Sequence, residues 1–187
     1  LPNITRKPHP TSPLAELRLG YIGQIKAHKG VDLIISAILP LLHAGLPLTL
    51  DLWGPEHEAQ DYVIRLKKLT ADYPAVRWHG AYKGSQVWDV LSSFDALIVP
   101  SRWYENSPTV ILEAYNVGLP VIATRLGGMA EMVQHDVSGL LFELNDPGDL
   151  RDQIMRLLND PTLLPRLYAG VPLVRRADQE VEEIYAC

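Results

Sequence analysis

FDALIVPSRWYENSPTVILEAYNVGLPVIATRLGGMAE, residues 94–131, is the stretch that decides the fold. It contains two short apolar runs, ALIVP and PVIAT, and turn-forming residues bound each of them. Continuous apolar runs of this kind are typical of strands that are buried on both faces of a parallel sheet. The segment between them predicts a helix with Ser107 as its N-cap, Pro108 at its first position and Gly118 at its end. Together these segments predict a right-handed βαβ unit.

Polar residues follow the carboxyl ends of both predicted strands. Residues 101–107 come after the first strand, and residues 125–131 come after the second. In open parallel sheets, ligands bind in the crevice outside the carboxyl ends of the strands. We therefore expect a binding crevice at this edge, faced by Glu105, Asn106, Ser107, Gly127, Gly128 and Glu131.

Strand and helix patterns alternate along the rest of the chain. Apolar runs predict further strands at residues 17–22, 48–53, 76–79 and 139–142. Helical periodicity predicts helices at residues 31–43, 56–72, 85–93, 129–134, 146–159, 162–169 and 175–185. In the helix predicted at 56–72, we expect Val63, Leu66 and Leu69 on the inner face. The pattern predicts an α/β fold, a Rossmann-like doubly wound parallel sheet of about six strands with helices on both faces.

The composition is ordinary for a soluble globular domain and argues against several kinds of function. Of the 187 residues, 47% are hydrophobic and 21% are charged. The net charge of −5 argues against a nucleic-acid surface, and no apolar run approaches the ~18 residues of a transmembrane helix. The single cysteine, Cys187, excludes an internal disulfide framework and a cysteine zinc site, and the six histidines lack metal-ligand spacing. We expect a cytoplasmic chain without a metal site.

The first strand, Gly23 and the helix beyond it are typical of a phosphate-binding turn. A glycine lets the backbone approach a ligand, and a helix N-terminus offers free N–H groups and a partial positive charge. Lys29 lies at this helix start, where a cation opposes the helix dipole by about 0.3–1 kcal/mol. An anion bound between the two would explain the placement. The alternative is a solvated surface lysine.

Glu105 and Glu113 are spaced E-x7-E, with Glu105 in the loop and Glu113 in the second turn of the helix. A carboxylate only accepts hydrogen bonds, so it suits a hydroxyl-rich ligand such as a ribose or a hexose. Gly127-Gly128, with Glu131, could form a tight turn that presents backbone N–H groups to a phosphate or a sugar. The alternatives are a surface glutamate at 113 and an ordinary turn with a helix cap.

Six other charged or titratable side chains have simpler interpretations. Two arginines lie near the predicted crevice and could add positive potential there, but surface charge is the default interpretation for both: Arg102 and Arg125. Four acidic residues and histidines are interpreted as structural or solvated: Asp95, Asp136, His79 and His135.

These motifs resemble the retaining glycosyltransferases of family 4, which have the GT-B fold. The resemblance rests on the turn from Gly23 to Gly30, on Gly80, and on four motifs: PS-x3-E-x7-EA from Pro100, GLPVIAT from Gly118, GG-x2-E from Gly127 and SGLLF from Ser138. It covers nearly the whole chain in order and spacing. What the chain resembles is the C-terminal, nucleotide-sugar-binding half of such an enzyme.

The resemblance implies roles for individual residues. Lys29 would hold the donor diphosphate, Glu113 would accept hydrogen bonds from the ribose hydroxyls, and Glu105 would contact the donor sugar. Glu105 and Lys29 are thus the catalytic candidates. The residues implied in nucleotide-sugar binding are Gly23, Gln24, Lys29, Gly80, Tyr82, Glu105, Asn106, Ser107, Pro108, Glu113, Gly127, Gly128 and Glu131. Such enzymes transfer a sugar with retention, here a hexosyl group to a polysaccharide, lipid-linked or other glycoconjugate acceptor, and need no metal or cofactor.

The resemblance also implies a domain arrangement. Residues 14–172 would be the nucleotide-sugar-binding domain, residues 1–13 a linker or edge segment, and residues 173–187 a helix that packs toward an N-terminal, acceptor-binding domain. That domain is not in this sequence, so we expect the chain alone to bind the donor but to transfer little. Peripheral membrane contact, at the inner face, would occur through that domain.

Two departures from the family pattern keep other functions open. Gln24 stands where the family usually has an arginine, and a neutral amide cannot give the bidentate charged contact of a guanidinium. The loop after Glu105 is Asn-Ser-Pro rather than the commoner Gly-Phe-Gly. Two alternatives remain: a sugar-nucleotide epimerase of the GT-B fold, over which the E-x7-E spacing favours the transferase, and a non-catalytic nucleotide-sugar-binding subunit, which Gln24 would suit.

Overall fold

The structure is a computed structural model that describes residues 15–57, 59–105 and 108–174. Three of the sequence predictions fall outside these ranges. They are the linker at 1–13, the terminal helix at 175–185, and the placement of Asn106 and Ser107 in the crevice.

Six strands form one sheet in the order β3-β2-β1-β4-β5-β6, and every neighbouring pair is parallel. The strands are β1 (Leu17–Ile22), β2 (Leu48–Trp53), β3 (Val76–Gly80), β4 (Ala96–Val99), β5 (Val121–Thr124) and β6 (Gly139–Phe142). The strand order runs in one direction from β1 to β3 and in the other from β4 to β6. The predicted doubly wound sheet of six strands is therefore confirmed, with its topological switch point between β1 and β4.

Seven α-helices cover the two faces of this sheet within the described part of the chain. They are α1 (Val31–His43), α2 (Gln60–Thr70), α3 (Val87–Ser92), α4 (Thr109–Asn116), α5 (Gly127–Met132), α6 (Pro147–Asn159) and α7 (Leu163–Gly170). Helices α1, α2, α6 and α7 pack on one face, and α3, α4 and α5 pack on the other. Side chains alternate along the strands, so that Ile98 joins the first core and its neighbours Leu97 and Val99 join the second.

Two sequence predictions for α2 are wrong. The helix begins at Gln60 rather than at residue 56, and Leu69 is 53% exposed rather than on the inner face. At 100° per residue, a helix that faces Val63 and Leu66 inward brings position 70 inward as well and turns position 69 away. Thr70 is accordingly buried, and its Oγ1 accepts a hydrogen bond of 3.1 Å from Trp78 Nε1.

The start of α4 also differs from the prediction. Pro108 is the N-cap residue, with an extended backbone at φ −68° and ψ 97°, and the first helical residue is Thr109. The proline still lies where its lack of an N–H group removes no helical hydrogen bond, because the first N–H groups of a helix have no partner within the helix. Pro108 is buried and belongs to the described part of the loop that leads from β4 into α4.

An ion pair ties the two strands at the switch point together. Asp95, directly before β4, is fully buried and accepts hydrogen bonds from Arg18 in β1, from the backbone N–H at 2.9 Å, Nε at 3.0 Å and Nη2 at 2.7 Å. The structural interpretation of Asp95 is thereby confirmed. The contact fixes β1 against β4 at the amino ends of these strands, at the opposite edge of the sheet from the predicted crevice.

Candidate functional site

A cleft of about 330 Å³ opens at the carboxyl ends of β1 and β4. This is the point where the strand order reverses, and it is where open α/β sheets bind their ligands. The cleft is lined by Tyr21, Ile22, Gly23, Gln24, Lys29, Tyr82, Ile98, Val99, Pro100, Ser101, Glu105, Pro108, Thr109, Val110 and Glu113. It is therefore built mainly from the segments that follow β1 and β4, and from the first turns of α4.

The cleft brings together seven of the residues predicted to bind a ligand. They are Gly23, Gln24, Lys29, Tyr82, Glu105, Pro108 and Glu113. Four others lie outside its lining: Gly80, Gly127, Gly128 and Glu131. Sequence reasoning missed the other lining residues Tyr21, Thr109 and Val110 and the apolar residues at the ends of β1 and β4. The only sign of them in the sequence is that they lie in or next to β1, β4 or α4.

Lys29 and Glu105 form an ion pair in the cleft, from the Lys29 Nζ to the Glu105 Oε1. The Ser101 hydroxyl donates a second hydrogen bond to the same carboxylate oxygen at 3.2 Å. The Lys29 side chain is 29% exposed and that of Glu105 is 23% exposed. Lys29 is thus a partly buried cation with a specific partner, rather than a solvated surface lysine.

The Gly127-Gly128 turn holds the loop that carries Glu105. The Gly128 N–H donates a hydrogen bond of 2.9 Å to the Glu105 carbonyl oxygen. This N–H is therefore engaged within the protein, and it supports Glu105 instead of facing a phosphate or a sugar. Glu131 lies exposed on α5.

Glu113 lies in the cleft wall formed by α4, and it is half-buried. No side chain of the described residues donates a hydrogen bond to its carboxylate or forms an ion pair with it. Burial raises the pKa of Glu113 above its ordinary value. Burial, and then the nearby Glu113 charge, raise the pKa of Tyr82. A partly desolvated carboxylate in a cleft is typical of a functional site, and it can accept hydrogen bonds from hydroxyl groups.

Both arginines near the predicted crevice have acidic partners. Arg125 Nε contacts Glu143 Oε1 at 2.8 Å, and Arg102 binds both oxygens of Asp32, from Nη1 at 2.7 Å and Nη2 at 2.8 Å. The Asp32 carboxylate also accepts a hydrogen bond of 2.6 Å from the Tyr62 hydroxyl. Burial acts to raise the pKa of Asp32, but the bonds from Arg102 and Tyr62 together outweigh it and hold that pKa below its ordinary value.

Sequence reasoning did not identify Asp32 or Tyr62. The available signal was modest, an acidic residue in the first turn of α1, where a negative charge favours the helix dipole. In the part of the chain that the structure describes, no group of three or more histidine, cysteine, aspartate and glutamate side chains could hold a metal ion. No described helix is long and apolar enough to cross a membrane.

Comparison with known sequences finds one matching family. The sequence model of the glycosyl transferases group 1 matches residues 16–160. The chain is 34% identical over 158 residues to D-inositol 3-phosphate glycosyltransferase 1 of Catenulispora acidiphila, which is 80% of this chain and 38% of that protein. It is 32% identical over 137 residues to the sulfoquinovosyl transferase SQD2 of Arabidopsis thaliana, which is 73% of this chain and 25% of that protein. The chain thus spans well under half the length of these curated relatives.

Comparison with solved structures finds the same architecture. Anabaena HepE, in complex with UDP and glucose, superposes with a TM-score of 0.77 at 22% identity, over 91% of this chain and 48% of that one. The C-terminal domain of a glycosyl transferase group 1 family protein, LpcC of Francisella tularensis, superposes with a TM-score of 0.75 at 21% identity, over 82% and 81%. These likenesses confirm the predicted fold, a Rossmann-like sheet of the GT-B type.

Proposed function

The chain belongs to the glycosyl transferases group 1 family, and from that premise we propose that it is the donor-binding domain of a retaining glycosyltransferase. The reaction would transfer a hexosyl group from a nucleoside-diphosphate sugar to a polysaccharide, lipid-linked or other glycoconjugate acceptor. One observation carries the proposal. The cleft at the switch point holds the Lys29–Glu105 ion pair and, on the α4 wall, the Glu113 carboxylate that has no partner among the described residues.

Glu113 would receive the ribose of the nucleotide. Two neighbouring hydroxyl groups could each donate a hydrogen bond to the carboxylate, and a hydrogen bond to a charged group contributes about 1.5–3 kcal/mol. These bonds would offset the burial that raises the pKa of Glu113. Tyr82, which lies in the same part of the cleft, would sit beside the base.

Lys29 and Glu105 would exchange partners when the donor binds. A diphosphate brings at least two negative charges, so it would compete with Glu105 for the Lys29 ammonium. The Glu105 carboxylate would then accept hydrogen bonds from hydroxyl groups of the donor sugar. During transfer, negative charge develops on the departing nucleoside diphosphate, and a positioned cation such as Lys29 stabilises it without a metal ion.

The proposed domain arrangement agrees with the length comparison. Residues 14–172 would be the donor-binding domain, residues 1–13 a linker, and residues 173–187 a segment that packs toward an N-terminal acceptor-binding domain. The relatives are longer than this chain by more than a factor of two, and a solved C-terminal domain has a similar extent. We propose that the chain alone binds the donor without transferring its sugar. The full protein would act in the cytoplasm, and at the inner face of the membrane if its acceptor is lipid-linked.

Gln24 is the observation that favours a second candidate, a non-catalytic nucleotide-sugar-binding subunit. Its side chain lies exposed in the cleft lining, in the segment that follows β1. A neutral amide there cannot stabilise the charge of a leaving diphosphate as a guanidinium would. Sugar transfer by the full-length protein supports the transferase, whereas tight donor binding without transfer supports the second candidate.

The proposal is tested by thermal unfolding of the chain with UDP, GDP and ADP and their sugar conjugates. A ligand at 100 times its Kd stabilises by about 2.7 kcal/mol, which is a shift on the order of 5–10 °C for a domain of this size. We expect such a shift with the nucleotides of one base. Glu113→Gln and Lys29→Ala should abolish most of it, and the control Glu143→Gln, an exposed glutamate outside the cleft lining, should retain it. No shift with any nucleotide at millimolar concentration, or equal shifts in Glu113→Gln and wild type, would contradict the proposal.

A further inference from the structure

Arg102 follows β4, directly after the cleft residue Ser101, and its side chain binds three other segments of the chain. Its Nη1 and Nη2 bind the two Asp32 oxygens in α1, and Nη1 also donates to the Ala27 carbonyl oxygen at 2.6 Å. Its Nε donates to Asn145 Oδ1 at 2.7 Å, in the turn before α6. The guanidinium charge is balanced by Asp32, and all three of its nitrogens are engaged. Arg102 is therefore bound within the protein and is not arranged to hold a phosphate itself.

The segment that Arg102 binds is the one that carries Lys29. Residues Ala27–Lys29 form a short 3₁₀ turn after β1, and the Arg102 backbone N–H donates to the His28 carbonyl oxygen at 2.8 Å. Gly30 follows in the left-handed conformation at φ 75°, and a Cβ there would lie 2.0 Å from the Pro100 carbonyl oxygen. Residues 27–32 thus run in direct contact with residues 100–102. Lys29 lies in the middle of this contact.

Tyr62, in α2, fixes the other partner of the guanidinium. Its hydroxyl donates to Asp32 Oδ1 at 2.6 Å and accepts from the Asp32 backbone N–H at 3.0 Å. The Asp32 carboxylate is therefore oriented from two sides, by a bidentate arginine and by a phenol. Planar bidentate pairs of this kind hold both direction and distance, which a single ammonium contact cannot do.

We propose that Arg102, oriented by Asp32 and Tyr62, is a positioning residue that holds the Lys29 segment so that the Lys29 ammonium reaches Glu105 and the bound donor. A lysine side chain has four flexible bonds, so the place of its ammonium depends on where its backbone is fixed. The inference rests on the proposed function in one respect, that an anionic group of the donor binds at Lys29. The order of the segment itself does not depend on that function.

The first arm of the test measures amide hydrogen exchange in residues 27–31. The variants are Arg102→Gln, the milder Tyr62→Phe, and the control Arg125→Gln, which removes another paired arginine that follows a strand of the same sheet. We expect exchange in residues 27–31 to rise about tenfold in Arg102→Gln and less in Tyr62→Phe, while α6 keeps its protection. Unchanged exchange in residues 27–31 in both variants, or an equal rise in Arg125→Gln, would overturn the proposal.

The second arm is a double-mutant cycle on UDP, GDP or ADP binding, measured by calorimetry with whichever of these the wild type binds. We expect Arg102→Gln to weaken binding several-fold to tenfold in the wild-type background and to have little further effect in Lys29→Ala, because residues that act through one contact are not additive. An equal loss in both backgrounds would overturn the positioning role. If the wild type binds no nucleotide, the proposed function fails, and the exchange result alone decides whether Arg102 positions the segment.

Discussion

Two carboxylates of this molecule, Asp32 in the first turn of α1 and Glu113 in the wall of the cleft, have opposite surroundings. Asp32 accepts hydrogen bonds from Arg102 and from Tyr62, whereas Glu113 has no such partner among the described residues. Burial acts to raise the pKa of both, but only at Asp32 do the bonds outweigh it, so its pKa is lowered while that of Glu113 is raised. The difference fits the proposed function, in which the Asp32 contacts hold the Lys29 segment and the Glu113 carboxylate accepts hydrogen bonds from the donor.

This contrast has a physical rationale. A site that binds hydroxyl groups must keep an acceptor unoccupied, and an unoccupied, partly desolvated charge lowers the stability of the free protein. In the proposed positioning role, by contrast, the contacts of Arg102 with Asp32 and Ala27 hold the segment that carries Lys29. We therefore expect the two regions to differ in their contributions to stability as well as in their contacts.

The largest effect is expected where the backbone of the Lys29 segment contacts residues 100–102. Gly30→Ala would place a methyl group against the Pro100 carbonyl at 2.0 Å and in a left-handed conformation, so we expect a loss of about 2–4 kcal/mol in the free energy of unfolding. Gly45→Ala is the matched control, since Gly45 has nearly the same φ, 74°, but nothing within 4 Å of the added atom. Its loss should be about 1 kcal/mol in urea unfolding. Equal losses would show that the close contact is unimportant.

The next largest effect on the free energy of unfolding is expected when each of the two carboxylates is replaced by its isosteric amide. Asp32→Asn removes the charge that pairs with Arg102 and should lower the free energy of unfolding by about 2 kcal/mol. Glu113→Gln removes a partly desolvated charge that lacks a described partner, so it should be neutral or should raise stability by a few tenths to about 1 kcal/mol, because solvent screens part of the effect. Urea unfolding at pH 7 measures both. A change of the same sign and size in the two variants would remove the basis of the comparison.

The smallest effect is the pH dependence of these two differences. The pKa of Asp32 is lowered in the folded protein. Its charge therefore contributes to the free energy of unfolding above the unfolded pKa of about 3.8, and this contribution is lost as the pH falls through the folded pKa. Glu113 has a raised pKa, so wild type loses stability as the pH rises from the unfolded value of about 4.5 through the folded one. Below pH 4 the difference between wild type and Glu113→Gln should therefore vanish. The difference between wild type and Asp32→Asn should persist to lower pH. Urea unfolding of wild type and the two variants from pH 3 to pH 7 measures both differences. The prediction is contradicted if, as the pH falls, the Asp32→Asn difference vanishes before the Glu113→Gln difference.

Most of the sheet could be predicted because its signals are local. The runs at β1, β2 and β6 begin and end at the predicted residues, since each is a short apolar segment next to a glycine, a proline or another turn-forming residue. The predicted start of α2 is too early because residues 56–59, EHEA, have the composition of a helix, and no side chain caps the helix at Ala59. The prediction for Leu69 is wrong because it follows the apolar side chain alone, whereas the helical spacing from Val63 and Leu66 turns position 69 outward and brings Thr70 against Trp78.

The cleft itself was predicted in part. Four residues that the sequence singles out line it: Lys29, Glu105, Glu113 and Tyr82. The Gly127-Gly128 turn lies outside the lining and supports Glu105 through the Gly128 N–H, which a turn motif alone cannot distinguish from an anion-binding turn. The charged contacts between Asp32, Tyr62 and Arg102 join residues 30 and 70 positions apart. No local pattern specifies such pairs.

The sequence by itself determined the alternation of buried strands and helices, the glycines and prolines that end them, and the chemical type of each residue at the strand ends. Those features follow from neighbouring residues, because backbone preference and hydrophobic periodicity act over a few positions. Only the tertiary structure decided that β1 lies beside β4 and that Lys29 forms an ion pair with Glu105. It also decided that Asp32 binds Arg102 and that Glu113 has no partner among the described residues. Hydrogen bonds and charge contacts depend on distances of a few ångströms between segments, and packing of the whole sheet sets those distances.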